Sequence, residues 1–270
     1  MKSYTKNIAR ELRAKTYFHI REHNICMMHI GRCGSTVLAN MMDQHPNIHW
    51  AGEFFRENKL PVYLRHYNTE DPFRALWLKS GAAKSRSFGF EIKAHPLMHP
   101  SQINETLKGV VEKCIHRIGC QHFILLTRTH LLRRFVSFLT GRKRNQWNFE
   151  KGETVKQPEV RVPTGSFQKW GREMTLIDFF NLCEGVREQW KSVIPNECHT
   201  LNLEYAQDIL HHSEEAYRRT TEWLGLEQHE AEVKKRKLNR KPLPHLVENW
   251  NEVHDMLSGT QHEWMLTDEE

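Results

Sequence analysis

The sequence predicts an α/β fold in which helices flank a central parallel β-sheet and residues 1–270 form one domain. Short apolar runs typical of buried strands alternate with longer segments whose apolar residues recur at every third or fourth position. The first apolar run leads through a glycine-containing turn straight into a helix-like segment. Neither an internal repeat nor a Pro/Gly/Ser-rich linker divides the sequence. We therefore expect a single core spanning about residues 25–257.

The predicted elements follow one another in strand–helix order. The strand candidates are apolar runs, namely Ile25–Ile30, Phe88–Lys93, His122–Thr127 and His199–Leu203. The helix candidates are the segments Ser35–Gln44, Ser101–Ile118, Leu131–Arg142 and Leu176–Val193. Alternation of this kind predicts parallel strands covered on both faces. Ligands in such folds bind at the carboxyl ends of the strands, so the functional residues are sought there.

Composition narrows the functional class. The net charge of +6 favours an anionic ligand, which nucleic acid or a polyanionic small molecule would satisfy equally well. The six cysteines lack regular spacing, which fits a reducing, cytoplasmic setting better than a disulfide framework. No apolar stretch approaches the ~20 residues of a membrane span, and the polar N-terminal stretch lacks the apolar core of a signal peptide. We expect a cytoplasmic protein without a transmembrane segment.

The stretch His29-Ile-Gly-Arg-Cys-Gly-Ser-Thr36, between the first strand and the first helix candidate, resembles a phosphate-binding loop without its lysine. A helix N-terminus presents unpaired N–H groups and a partial positive charge, which together attract anions. The usual loop ends in Gly-Lys-Ser/Thr, whereas Gly34 is followed directly by Ser35 and the cation is Arg32. The pattern predicts an anion site without the loop lysine that is usual in a magnesium-nucleotide kinase.

Two other interpretations of this stretch stay open. The spacing of Cys26 and Arg32 matches that of a cysteine phosphatase loop. However, Cys26 begins an apolar run, where a buried thiol would be inert, and Cys33 stands where a hydroxyl residue would help to activate the nucleophile. The stretch could also be an ordinary strand-to-helix turn with no ligand.

Several segments, taken in their order along the chain, resemble the sulfotransferase family. Ile30–Leu38 is similar to that family's 5′-phosphosulfate loop, whose pattern is roughly Arg-Ser-Gly-Ser/Thr-Thr-x-Leu. His45–Ile48 and Gly52–Phe55 are similar to the HP…GE-F run of bacterial and carbohydrate-type members. The resemblance implies a P-loop NTPase-like fold and extends from about Ile25 to Val253.

Two further segments carry the same resemblance. Leu125–Arg128 followed by Leu132–Ser137 is similar to the family's 3′-phosphate element, an Arg at a strand end and a Ser on the next helix. Glu204-Tyr205 and the later Trp223–Gly225 resemble the family's YE-x-L…FLG segment, with Tyr and Glu transposed.

The resemblance implies that the donor is 3′-phosphoadenosine 5′-phosphosulfate and that no metal is required. It implies that the donor's 5′-phosphosulfate is held by the loop residues Arg32, Cys33, Gly34, Ser35 and Thr36. It also implies that Arg128 and Ser137 hold the 3′-phosphate. The family's spacing from this Arg to this Ser is one residue shorter than the nine found here, so Thr129 is kept as a substitute ligand.

Transfer to an acceptor hydroxyl needs a base, and two candidates stay open. Lys93-Ala-His95 is similar to the Lys-Thr-His of cytosolic sulfotransferases, in which the histidine is the base and the lysine assists the leaving group. Glu53 matches the position that some carbohydrate-type members use. The candidate catalytic residues are therefore Glu53, His95, Arg32 and Lys93.

The acceptor and the partners are less determined. A glycan, a lipid-linked saccharide or a small hydroxylated metabolite would each fit carbohydrate-type sulfation, and residues about 143–172 are expected to form a mobile substrate loop. A homodimer is possible, and no nucleic-acid partner is expected. The rival functions are a kinase with a degenerate loop and a basic nucleic-acid binder that uses Lys234–Lys241. Cys114–His122 contains zinc-type ligands without the spacing of a zinc knuckle.

Overall fold

A five-stranded parallel sheet forms the centre of the molecule. The computed structural model describes residues 2–94, 106–147, 157–169, 171–234 and 241–267. The strands of this sheet are β1 (His23–His29), β2 (Ile48–Glu53), β3 (Ser87–Lys93), β4 (His122–Thr127) and β7 (His199–Glu204). They lie in the order β2-β3-β1-β4-β7, and every neighbouring pair is parallel. The predicted α/β fold with a central parallel sheet is confirmed.

Alternate residues of the central strand enter two separate apolar cores. Cys26 and Met28 belong to the larger core on one face of the sheet, and Ile25 and Met27 belong to the smaller core on the other. Successive side chains of a strand point to opposite faces, so a strand covered on both sides must be apolar at every position. This double burial explains why β1 is a continuous apolar run in the sequence.

Helices cover both faces of the sheet, and a small hairpin lies outside it. The helices are α1 (Lys2–Ile20), α2 (Ser35–Met42), α3 (Leu60–Tyr67), α4 (Pro72–Ala82), α5 (Leu107–Lys113), α6 (Leu131–Arg144), α7 (Leu176–Glu184), α8 (Val186–Val193), α9 (Ser213–Trp223) and α10 (Trp250–Leu257). The hairpin pairs β5 (Phe167–Lys169) with β6 (Arg172–Met174). Within the described ranges, no helix has both the length and the apolar character needed to cross a membrane.

Most of the predicted elements agree with the structure, and the differences have local causes. The predicted helix Leu176–Val193 is wrong as a single element, because the chain breaks at Gly185 into α7 and α8. The predicted start at Ser101 lies outside the described residues, as does part of 143–172, whose mobility stays a prediction. In the part of 143–172 that is described, the chain includes the end of α6, strand β5 and a stretch, 157–166, that lies outside the named helices and strands.

Candidate active site

The loop between β1 and α2, residues 30–34, is the predicted anion site and is called the anion loop below. Gly31, Arg32 and Gly34 all adopt left-handed conformations, with φ of 75°, 58° and 83°. Gly34 is the N-cap of α2, and its carbonyl accepts the N–H groups of Val37 and Leu38. The N–H groups of the first helical turn have no partner within the helix, and turns of this kind direct successive N–H groups into one concavity.

The two glycines of the loop are needed for space as well as for conformation. A Cβ on Gly34 would lie 2.5 Å from Ile209 Cγ2, which is closer than real side chains approach. A Cβ on Gly31 would lie 3.0 Å from Lys93 Cε. The loop is therefore packed tightly against the chain after β7 on one side and against the end of β3 on the other.

Two arginines and a serine named from the sequence meet behind this loop. Arg128 Nη1 donates to the Arg32 carbonyl over 3.0 Å, and the Arg128 guanidinium lies 4.3 Å from the centre of the Tyr205 ring. Arg32 Nε donates to Ser137 Oγ over 3.0 Å, and its Nη1 donates to the Trp147 carbonyl. Burial and then the neighbouring Arg128 charge lower the pKa of Arg32 to about 10. Like charges held this close are stabilised by a bound anion.

Thr129 has a different partner from the one weighed in the sequence. Its backbone N–H and its hydroxyl both donate to Glu204 Oε1, over 2.9 and 3.2 Å. Glu204 Oε2 accepts the N–H groups of Ala206 and Gln207, so this carboxylate organises the ends of β4 and β7. The structure thus engages the Thr129 hydroxyl with Glu204, while Ser137 lies beside Arg32.

A bulge at the end of β2 places a carboxylate opposite the loop. Trp50 is aligned with Gly89 and Glu53 with Glu91, so β2 has one residue more than β3 in this interval. Gly52 within the bulge has φ of 67°. Bulges of this kind re-aim a side chain at a strand end. Here the bulge brings Glu53 Oε2 to 3.4 Å from Lys93 Nζ.

Glu53 is a carboxylate at neutral pH. Burial alone would raise its pKa, but neighbouring positive charges, Lys93 and Arg56 among them, outweigh burial and lower it. An ionised carboxylate can accept a proton from a hydroxyl group placed beside it. The ionised state of Glu53 is the state that the candidate base needs.

Two polar groups beside Glu53 were not identified in the sequence. His29 ends β1 and is completely buried, and its Nε2 lies 3.4 Å from Glu91 Oε2 and 3.9 Å from Glu53 Oε1. Glu91 is also buried, and its Oε1 accepts the Trp50 indole N–H over 3.1 Å. A histidine closing an apolar strand and a glutamate inside one are the signals that could have drawn attention to them.

The loop and the carboxylate face one cavity of about 500 Å³. Its polar lining includes Arg32, Ser35, Thr36, Glu53 and Lys93. Its apolar lining consists largely of aromatic rings, those of Phe55, Phe135, Phe138, Trp147 and Phe179. A cavity lined by cations, a carboxylate and aromatic rings can hold an anion beside an organic molecule.

The remaining predicted residues fall in different places. The Cys33 side chain is buried in the smaller core, so only its backbone can belong to the anion loop. His95 lies outside the described residues. Cys26 is fully buried, and burial raises the pKa of its thiol, which argues against the phosphatase interpretation. In the part of the chain that the structure describes, the Cys114–His122 stretch does not bring potential metal ligands into one group.

The comparisons with known proteins bear on the fold. No protein-family model matches the sequence, and no curated protein matches it either. The fold is similar to that of a sulfotransferase from Alicyclobacillus acidocaldarius, with a TM-score of 0.51 and 12% sequence identity. The alignment covers 90% of this chain and 94% of that chain. The protein therefore has a sulfotransferase-like fold.

Proposed function

We propose that this protein transfers a sulfuryl group from 3′-phosphoadenosine 5′-phosphosulfate to the hydroxyl of an organic acceptor. The observation that carries the proposal is the arrangement around the cavity. The anion loop with Arg32, the ionised Glu53 and Lys93 all line this cavity. This is an anion site facing a proton acceptor, which sulfuryl transfer to a hydroxyl requires.

The loop and the arginines behind it would hold the donor. The backbone N–H groups at Gly34, Ser35 and Thr36 would bind the 5′-phosphosulfate at the start of α2. Arg128 and Ser137 would bind the 3′-phosphate, because a guanidinium matches a phosphate in a bidentate way. Arg128 Nη1 donates to the Arg32 carbonyl, which places this arginine beside the loop.

In this reaction the bonds form and break between the acceptor and the donor, and the protein supplies a base and positive charge. The acceptor oxygen forms a bond to sulfur, the bond from sulfur to the 5′-phosphate oxygen breaks, and the acceptor proton passes to the base. Negative charge grows on the departing phosphate oxygen, where Arg32 and Lys93 supply positive charge. We propose Glu53 as the base, with His95 as the alternative, and no metal ion.

The aromatic walls of the cavity support an acceptor that stacks on rings. Sugars and small ring compounds carrying a hydroxyl group both bind in this way. We therefore propose a glycan or a small hydroxylated metabolite, in agreement with the sequence resemblance.

Calorimetric titration with 3′-phosphoadenosine 5′-phosphate tests the donor site directly. We expect binding at least tenfold tighter than that of AMP, and unchanged by magnesium. Arg128→Ala should weaken this binding by about 10–100-fold, since a charge-assisted hydrogen bond contributes about 1.5–3 kcal/mol. Arg161→Ala, which changes an exposed arginine on the surface, is the matched control and should bind like the wild type. Equal binding of AMP, or tighter binding of ATP with magnesium, would overturn the proposal.

A further inference from the structure

A buried histidine links the candidate base to the anion loop. His29 has no exposed surface and lies at the end of β1, between Glu53 at the end of β2 and Glu91 in β3. Its Nε2 makes no hydrogen bond within the described residues and lies near one oxygen of each carboxylate, 3.4 Å from Glu91 Oε2 and 3.9 Å from Glu53 Oε1. A buried polar atom without a partner calls for an explanation.

The other ring nitrogen shows where the proton lies. Gly31, the first glycine of the anion loop, donates its backbone N–H to His29 Nδ1 over 3.1 Å. Nδ1 therefore carries a lone pair, and the proton of the neutral ring lies on Nε2. Burial lowers the pKa of His29, while Cys33 and Glu91 raise it to about 10, which by itself would favour the imidazolium. We assign the neutral ring to His29. An imidazolium would carry a proton on Nδ1, and this Nδ1–H would face the Gly31 N–H, so two donors would meet.

This proton position also separates two explanations of the cluster. His29, Glu53 and Glu91 offer ligand atoms within 4.8 Å of one another, as a metal site would. A metal ion here would need the lone pair of Nε2, but the contact from Gly31 places that lone pair on Nδ1 and the proton on Nε2. Nε2–H is instead a donor facing two carboxylate oxygens.

The other oxygens of the two carboxylates are already engaged. Glu91 Oε1 accepts the Trp50 indole N–H, and Glu53 Oε2 lies 3.4 Å from Lys93 Nζ. A Cβ on Gly89 would lie 2.1 Å from the Trp50 ring, so a glycine at this position leaves room for the indole. The oxygens that remain, Glu91 Oε2 and Glu53 Oε1, are the two that face His29.

We infer that His29 is a positioning residue between Glu53 and the anion loop, with Nε2–H beside the Glu91 and Glu53 carboxylates and Nδ1 accepting the Gly31 N–H. The groups that face His29 are Cys33, Glu91 and Glu53, and those that face Glu53 are His29, Lys93 and Arg56. The catalytic meaning of this link rests on the proposed function, in which Glu53 is the base. The link itself consists of contacts that can be tested without an acceptor.

Two amide substitutions separate the two contacts of the ring. The side-chain amide of His29→Asn can reach the position of Nδ1, so it keeps an acceptor for Gly31 and loses the donor to Glu53. The longer amide of His29→Gln can reach the position of Nε2, so it keeps the donor to Glu53 and loses the acceptor for Gly31. His262→Asn, at another fully buried histidine, is the control for the cost of the substitution itself.

Two measurements on the full chain serve as readouts. The carboxyl carbon resonances of ¹³C-labelled glutamate report the pKa of Glu53, and the resonance lost in Glu53→Gln gives the assignment. Calorimetry with 3′-phosphoadenosine 5′-phosphate reports the loop. We expect His29→Asn to raise the pKa of Glu53 by about one unit and to leave the affinity within about twofold. We expect His29→Gln to keep the pKa and to weaken binding by about three- to tenfold.

An unchanged pKa of Glu53 in His29→Asn, or the same change of both readouts in both variants and in His262→Asn, would overturn the inference. A measurement on the wild type covers the case in which the variants fail to fold. The ¹⁵N shifts of the His29 ring should show the Nε2–H tautomer at neutral pH, and an Nδ1–H tautomer would contradict the proposal. If the wild type binds no bisphosphate, the proposed function fails, while the titration of Glu53 still decides the contact with His29.

Discussion

At the scale of single residues, the loop backbone is the most constrained part of the site. Gly34 combines φ of 83° with an approach that leaves no room for a Cβ beside Ile209. We expect Gly34→Ala to cost about 1–3 kcal/mol of unfolding free energy, because a left-handed residue with a side chain is strained and must also displace its neighbour. Binding of the bisphosphate should fall at least tenfold.

The measurements are thermal unfolding and calorimetry, with Gly165→Ala as the control. A Cβ on Gly165 meets nothing within 4 Å, so that variant should keep both stability and binding. If Gly34→Ala bound the bisphosphate like the wild type, the loop would not be the anion site.

The residues of the site differ in how far the sequence could predict them. Arg32 was indicated by the glycine-containing loop after an apolar strand, and Arg128 by the resemblance to the sulfotransferase 3′-phosphate element. The spacing from Arg128 to Ser137 is one residue longer than in the sulfotransferase pattern. Only the packing of α6 against the loop shows that the Ser137 hydroxyl contacts Arg32. His29 and Glu91 are polar residues within strands, and their proximity depends on the register of β1 with β3.

At the scale of elements, helix α6 secures the anion loop. Arg134 on this helix is buried, and it donates through Nε to the Gly31 carbonyl over 3.0 Å and through Nη2 to the Ile30 carbonyl. Loss of a charged donor that leaves two buried carbonyls unpaired costs about 2–4 kcal/mol. We expect Arg134→Met to lower the free energy of unfolding by this amount and to weaken bisphosphate binding.

Chemical denaturation measures this loss, and Arg142→Met on the exposed side of the same helix is the matched control. Arg134→Lys should recover part of the stability, because one amine can reach one of the two carbonyls. A stability equal to that of the wild type in Arg134→Met would show that the loop holds its conformation without α6.

The elements that the sequence did not predict share a weak hydrophobic pattern. β2 lies at the edge of the sheet and contains His49 and Gly52, so it lacks the continuous apolar run of a central strand. In α1 the large apolar residues Ile8, Leu12 and Ile20 are exposed and the buried Ala14 is small, so no apolar stripe marks the face that packs against the protein. By contrast, the strand His122–Thr127 has the predicted bounds, because five of its six residues are buried.

At the scale of the whole molecule, the carboxyl ends and the amino ends of the strands carry different ionisable groups. The carboxyl ends of the strands gather the cations and carboxylates of the candidate site. The amino ends of β1, β4 and β7 bring together three histidines that are far apart in sequence. The ring centres of His23 and His122 are 4.8 Å apart, and those of His122 and His199 are 5.0 Å apart. This histidine cluster forms because the starts of these strands pair in parallel, so the sequence alone did not predict it.

This histidine cluster makes the stability of the protein depend on pH. Burial first, and then the neighbouring His23 and His199, lower the pKa of His122 from 6.5 to about 4. Between these values the unfolded chain binds a proton that the folded protein does not, so stability rises with pH in this window. The contribution of His122 is therefore complete above pH 6.5 and is lost as the pH falls towards 4. Because the ring is partly exposed, we expect about 1–2 kcal/mol in total.

His122→Phe removes the titrating group and keeps an aromatic ring against Trp223. We expect its free energy of unfolding, measured by urea denaturation between pH 4 and 7, to vary less with pH than that of the wild type. His245→Phe, at an exposed histidine, should keep the wild-type slope. If His122→Phe kept that slope as well, the pH dependence in this range would come from other histidines whose pKa is lowered by burial, such as His23 and His49.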